Sequence, residues 1–358
     1  MRAAEKEKHV DTSLSFDGQQ LIDEFVRLAE EATTGLTVPF RDSMQPVRGA
    51  FDALNRLIVD GSWIDLVTEG TGLDEEVPVL AGIVERVARV RPTPPAALPE
   101  EFAIRRLLVA LGETERANDP APISGSLAVA IMDDPTTTFA MAHWVGHRYH
   151  LTREGSELIL RDASLDAVAE TPLDQPDRTR PIYALRPGAE NDGEVIARVD
   201  PQVAARYAYE LVLLEAAEML GAATALFDAT VIHLNTRQQF GVPLASFQAL
   251  NHRVVDLFAQ IETLRSLVEY AAWVADARPD ALQDFALMAK GYGARTSWET
   301  GSEAIQLHGA MGYTWEQGLQ IPFGRAMVRS LSSPSGAESL RIVGQRTVDR
   351  GALIELLD

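Results

Sequence analysis

The chain has 358 residues, 46% of them hydrophobic and 23% charged, the ordinary balance of a globular protein with a large core and room for two or three subdomains. With 52 acidic against 32 basic residues the formal charge is -20, which disfavours nucleic acid and anionic membrane surfaces but leaves room for a local basic pocket around a phosphorylated cofactor. There is no cysteine, so disulfides, thiolate metal sites and a cysteine nucleophile are excluded.

The first residues, Met1-Arg2-Ala3-Ala4-Glu5-Lys6-Glu7-Lys8, are charged and lack an apolar h-region; no secretory signal is expected, and residues 1–17 read as a polar tail. No apolar run reaches the ~18 residues of a membrane span, so the expectation is a cytoplasmic protein without membrane insertion. Residues 18–119 read as an N-terminal helical domain. Leu21, Ile22, Phe25, Leu28 and Ala29 fall at helical spacing, Phe51, Leu54, Leu57 and Ile58 suggest a second helix, and Leu80, Ile83, Val84 and Val87 stripe a third over Val77–Val90. A proline-rich loop follows, with Pro92, Pro94, Pro95 and Pro99, and then a helix over Phe102–Gly112.

The texture changes over residues 120–201. Short apolar runs such as Leu127–Met132 and Leu158–Leu160 alternate with Gly, Asp, Thr and Pro, which predicts strands. Arg148–Leu151, Glu157–Leu160 and Pro181–Leu185 are expected to form an antiparallel unit in a small central β-domain of about 80 residues. His143, His147 and His150 would align for zinc on a helix. Gly146 and the β-rich surroundings argue against a helix there, and no metal is expected. Trp144 and Tyr149 read as β-domain core.

Residues 202–358 are expected to form a C-terminal antiparallel four-helix bundle. Its helices are placed at Ala204–Leu234, from Phe247 along the stripe Leu250, Val254, Phe258, Ile261, Leu264 and Val268, at Leu282–His308 and at Ala337–Leu357. Ser335-Gly336-Ala337-Glu338 fits a capping box. Trp298 and Trp315 are expected to pack in the bundle. The fold class is α+β, mostly α: helical domain, β-domain, helical bundle.

Two Gly-bearing turns end long helices of the bundle. In the first, Arg237 could pair bidentately with a pyrophosphate, Gln239 could bond phosphate or ribose oxygens, and Phe240 could cover an apolar ring. The same residues equally describe a helix end whose Arg complements the dipole and whose Gly241 stops the helix. In the second, Gln306 offers donor and acceptor to an amide or adenine edge, while Gly309, Ala310 and Gly312 let another body approach the backbone. Alone, it also reads as a tight inter-helix turn.

Taken together, Arg237-x-Gln239-Phe240-Gly241-x-Pro243-x-x-x-Phe247-Gln248 and Gln306-x-His308-Gly309-Ala310-x-Gly312-Tyr313-Thr314-Trp315-Glu316 resemble the C-terminal half of the acyl-CoA dehydrogenase family, with His252 and Asp256 at positions where the family often has a His and an Asp. The resemblance covers residues 203–345 and extends to the layout, not the detail, of residues 1–202. It implies FAD at a subunit interface, gripped at its adenosine-pyrophosphate end by Arg237, Gln239, Phe240, Gln248, Gln306, Gly309 and Ala310. It implies α,β-dehydrogenation of an acyl-CoA thioester, in which a carboxylate removes the α-proton and the flavin takes the β-hydride, and an electron-transfer protein as acceptor.

Three departures qualify what the resemblance implies. Counted from Arg325, the family's base falls on Pro334, which accepts no proton; the alternative base position, on the first bundle helix, falls on Leu211. Glu210, Glu215 and Glu218 lie nearby; Glu215 and Glu218 share a helix face, and Glu218 is the candidate base, its competing reading being a structural carboxylate. In the β-domain, Met132-Asp133-Asp134-Pro135 echoes a family turn but runs almost directly into Phe139-Ala140-Met141-Ala142, as if a strand were missing, and Ala310 replaces a frequent Gly. The chain therefore resembles the base-deficient small subunit of a heteromeric bacterial enzyme acting on steroid side-chain or other bulky acyl-CoA thioesters, sharing FAD with its partner. A homomeric dehydrogenase using Glu218 and a flavin-free scaffold of the same fold are the alternatives.

Overall fold

In the computed structural model, residues 14–33, 67–68, 76–90, 98–119, 121, 123–127, 130, 139–140, 147–163, 174–177, 179, 182–184 and 192–349 are described. The expected helix around Phe51–Ile58, the Met132–Pro135 turn, His143 and Trp144 lie outside them. Helix α1 (Phe16–Thr33) begins where Ser15 Oγ accepts the Gly18 amide at 3.1 Å, and it buries Ile22, Phe25 and Ala29 against α2 (Glu76–Val90). α2 has the apolar stripe expected of it, from Val77 to Val87.

Helix α3 (Leu98–Ala110) is buried on nearly every side although it carries Glu100, Glu101, Arg105 and Arg106. The charges are paired. Arg105 Nε donates to Glu101 at 2.7 Å and its other nitrogens to the carbonyls of Ala117, Asp119 and Ala121, while the second Glu101 oxygen accepts the Ile123 amide at 2.7 Å. That carboxylate ties the one-turn α4 (Thr114–Ala117) and strand β1 (Ile123–Ser126) to the helical layer.

The sheet has the order β1-β3-β4-β6, with β3 His147–Glu154, β4 Glu157–Asp162 and β6 Glu194–Val199. β1 runs parallel to β3, while β4 is antiparallel to β3 and to β6; Tyr149 faces Asp162 and Leu151 faces Leu160. β2 (Phe139–Ala140) and β5 (Tyr183–Ala184) form a separate antiparallel pair. Ile123–Ser126 is a strand and the Leu127 carbonyl accepts the Ala130 amide at 3.0 Å, while most of the expected strand Leu127–Met132 lies outside the described residues. His147 and His150 are both on β3, a strand, whereas the zinc alignment needed a helix.

Helix α5 (Pro201–Thr236) starts at Asp200, which accepts the Gln202 and Val203 amides at 2.8 and 3.3 Å, with Pro201 in the first turn. At 36 residues it is about 54 Å long, and it is apolar around most of its girth because α2, α3, α7 and α8 all pack on it. The rest of the bundle is α6 (Gln248–Ala277), α7 (Leu282–His308), α8 (Gln320–Leu331) and α9 (Gly336–Asp349). Glu215 meets Lys290 and His233 meets His308, so α5 and α7 run in the same direction, with α6 returning between them. Arg346 meets Asp284 and Gly336 meets Ala294, so α9 runs opposite to α7. The expected capping box forms: Ser335 and Glu338 exchange bonds of 3.0 and 3.3 Å.

Two expectations about packing fail. On α6 the buried stripe is Leu257, Ile261, Leu264 and Val268; Phe258 is half exposed, resting against Phe227 at 5.9 Å between ring centroids. Trp298 and Trp315 are exposed, Trp298 leaning on Phe323 at 5.7 Å.

Candidate functional site

The first turn is a two-residue β-hairpin. β7 (Gln238–Gln239) pairs antiparallel with β8 (Val242–Pro243), leaving Phe240 and Gly241 at the tip with φ of 53° and 82°. Both values are positive, the turn whose twist matches antiparallel strands. A phenylalanine in the left-handed region is unusual, and here its side chain is 91% exposed, touching Phe247 edge-on at 6.2 Å. The hairpin is closed onto the helix by Leu244 N donating to Arg237 O at 2.8 Å. Gln248 opens α6 directly behind it.

The second turn follows α7. Gly309 leaves the helix with φ 63° and ψ -140°, and a side chain there would meet nothing within 4 Å. What brings the two turns together is a pair of histidines. His233, one helical turn before Arg237, stacks on His308 with ring centroids 4.2 Å apart and planes 27° apart. His308 is buried, and its Nδ1 lies 2.8 Å from the Ala304 carbonyl. Burial, His308 and Arg237, in that order, hold the His233 imidazolium below the ordinary histidine range. An Arg253–Glu303 ion pair clamps α6 to α7 close by.

The resulting cradle is open and polar. Arg237, Gln239, Gln248, Gln306, Gly309 and Ala310 are all exposed, and the side chains of Arg237, Gln239, Gln248 and Gln306 make no hydrogen bond or ion pair among the described residues. An unpaired guanidinium beside uncommitted amides and an unobstructed glycine fits a phosphate-bearing nucleotide. Ile232, Phe240, Met311, Tyr313 and Trp315, each within six residues of Arg237 or Gly309 in sequence, are exposed, and exposed apolar surface of this kind marks a contact site.

The region of the candidate base is built in the opposite way. Glu218, 1% exposed, receives Arg325 at 3.0 Å on one oxygen and Arg329 on the other. Arg329 also donates to both Glu100 oxygens at 2.8 and 2.9 Å and to Glu215 at 2.8 Å. Arg325 reaches Asp177 and, at 2.5 Å, Thr179. Glu215 is further held by Lys290 and by Ser332 Oγ, and Lys290 Nζ lies 2.7 Å from that same hydroxyl. Burial acts to lower both guanidinium pKa values, but the surrounding carboxylates overcome it and keep Arg325 and Arg329 charged, whereas burial pulls the Lys290 ammonium down despite Glu215. Pro334 is buried in the loop between α8 and α9, two residues from Ser332. Leu211 is buried, and Glu210 is occupied by Arg106 at 3.0 Å and Arg206 at 3.3 Å.

Sequence reasoning found the residues of both turns but missed His233 and treated Arg325 only as a counting mark. The available signals were a histidine one turn before Arg237 and the four-residue spacing of Arg325 and Arg329 on a helix otherwise apolar on that side.

The chain has the acyl-CoA dehydrogenase fold, and residues 213–337 match the family model described as the acyl-CoA dehydrogenase C-terminal domain. Among relatives, "Acyl-CoA dehydrogenase IpdE2" of Mycolicibacterium smegmatis is 35% identical over 162 residues, 45% of this chain and 47% of that protein. The chain thus matches about half the length of this relative. Two solved structures share the architecture throughout. The ChsE4-ChsE5 complex from Mycobacterium tuberculosis superposes with a TM-score of 0.73 at 17% identity, covering 95% of this chain and 99% of that one. A variant of the Tcur3481-Tcur3483 steroid ACAD gives 0.76 at 19% identity, covering 94% and 99%.

Proposed function

We propose that this chain is a subunit of an FAD-dependent acyl-CoA dehydrogenase and that a second chain of the same fold supplies the catalytic base. The observation that carries this reading is the contrast between the two sites. The bends at Arg237 and Gly309 are open, with polar side chains unpaired among the described residues, while the base position is Pro334 and Glu215 and Glu218 are committed to cations. In this role Arg237 pairs with the pyrophosphate, Gln239 and Gln248 bond its oxygens or the ribose, Gln306 addresses the adenine edge, and Gly309 and Ala310 let the nucleotide approach the backbone. Flavin, when bound, supplies the acceptor for the β-hydride. The substrate is an acyl-CoA thioester, and the steroid acyl-CoA dehydrogenase among the structural neighbours supports a bulky acyl group.

A base must be able to take up the α-proton. Protonating Glu218 would leave Arg325 and Arg329 partly uncompensated in a buried core, which favours the structural reading of that residue. The experiment is purification of the chain alone and co-expressed with a longer family member carrying an intact base. Yellow protein and turnover only on co-expression support the partner reading. A yellow, active chain alone, whose turnover is abolished by Glu218→Gln, supports a homomeric enzyme instead. Colourless protein under both conditions supports a flavin-free scaffold.

A further inference from the structure

We propose that His233 is a proton-linked second cation of the nucleotide site, taking up a proton from solvent when a pyrophosphate binds at the two bends. This rests on the dinucleotide reading above and adds to it a residue and a linkage. Helices α5 and α7 both end at this place, so two sets of terminal carbonyls converge there. Helix C-termini carry partial negative charge and favour cations, not anions. A pyrophosphate there needs more positive charge than Arg237 alone offers. The hairpin and the following turn, residues 238–247, contain no charged side chain. On α6, Arg253 is taken by Glu303 of α7. Among the described residues, the titratable groups acting on His233 are His308 and Arg237.

The stack decides which ring responds. His308 is buried and its Nδ1 is held at the Ala304 carbonyl, so it acts as a fixed platform. His233 lies over it, partly exposed, one turn from Arg237. Burial, His308 and Arg237 favour the neutral ring. A diphosphate compensates Arg237 and reverses the local sign of charge, so the ring gains a proton as the ligand arrives.

The probe is ADP-ribose, whose pyrophosphate diester keeps its charge through this range and which lacks the flavin ring. Calorimetry on the co-expressed complex, in buffers of differing ionisation enthalpy, should show net proton uptake on binding. Affinity should fall about three- to tenfold from about pH 5.5 to about pH 7.5. His233→Gln should abolish both effects while retaining binding at the higher pH. Ring-proton titration of the seven histidines by NMR in the unmodified chain should show one imidazole whose titration moves upward when ADP-ribose is added. Binding without proton uptake, or a pH profile unchanged by His233→Gln, overturns the linkage and leaves the dinucleotide reading standing. Failure of ADP-ribose to bind at any pH overturns both.

Discussion

Arg329 pairs with three buried carboxylates, and replacing it with methionine tests whether the buried charges stabilise the fold. The guanidinium is 1% exposed and contacts Glu100, Glu215 and Glu218. After Arg329→Met, Glu215 keeps Lys290 and Glu218 keeps Arg325, so the loss concentrates on Glu100, both of whose oxygens receive Arg329. Removing one partner from a buried pair costs about 3–5 kcal/mol, chiefly because the remaining charge stays desolvated. The sign of the pH dependence follows. A buried carboxyl that loses the guanidinium bonded to both of its oxygens has its folded-state pKa raised, so it binds a proton more readily when folded and gains stability as pH falls. The deficit should therefore be about 3–5 kcal/mol near pH 8 and smaller near pH 5. Urea unfolding followed by circular dichroism and tryptophan fluorescence at both pH values measures it. Glu100→Gln combined with Arg329→Met should recover part of the loss. A deficit under about 1 kcal/mol, or one equal at both pH values, would refute the reasoning.

Burial pushes the Asp276 carboxyl up to about 6, against the opposing Val77 amide bond and Arg106. Because this folded value lies above the ordinary 3.8, the group's stabilisation is greatest at low pH and is lost as pH rises through about 6; Asp276→Asn should flatten that slope in a thermal-melt series and add about 1–2 kcal/mol near pH 7.5. A side chain at Gly221 would meet the Glu85 carbonyl at 2.1 Å and the Ala88 methyl at 2.8 Å, so Gly221→Ala should lower stability by about 1–3 kcal/mol in urea despite alanine's better helix propensity. Phe240→Gly relieves a left-handed phenylalanine and should raise the chain's own stability by about 0.5–1 kcal/mol, while weakening assembly measured by sedimentation. Ser335→Ala removes a formed capping box and should cost about 1 kcal/mol by chemical denaturation.

What the sequence revealed follows from which forces are local. Helix α7 was readable to its ends, Leu282 and His308, because α6 ends only a few residues before it and Gly309 stops it. The capping box was readable because four consecutive residues contain all of its chemistry. Helix α8 was not anticipated. Arg325 and Arg329 interrupt its apolar stripe, and only Glu100, Asp177, Glu215 and Glu218, drawn from distant segments, make those arginines interior residues. The same limit hid the packing of α6, where shifting the stripe by one residue exchanges Phe258 for Leu257. At the bends, residue identities were legible but their adjacency was not, because the His233–His308 stack is a tertiary contact between helices far apart in sequence.

The two regions also bear differently on the proposal because of where they lie on one helix. Lys290 and His308 are 18 residues apart on α7, which is about 27 Å, so a group gripped at the bends touches Glu215 of the same chain only by spanning that length, and Glu218, three residues further along α5, only by spanning about 22 Å. A carboxylate that exchanges protons during turnover must be free to change charge, and each of these two is part of a set of pairings that a change of charge would break. The bends have the reverse character: neutralising Arg237 with a ligand phosphate removes no pair among the described residues, and covering Phe240 and Tyr313 removes apolar surface from water. Free energy is therefore available at the open end for binding a nucleotide and a second chain. At the closed end it is already committed to joining α3, the segment at Asp177 and the bundle. That asymmetry is the physical reason to look for the proton acceptor on a partner and for the nucleotide grip on this chain.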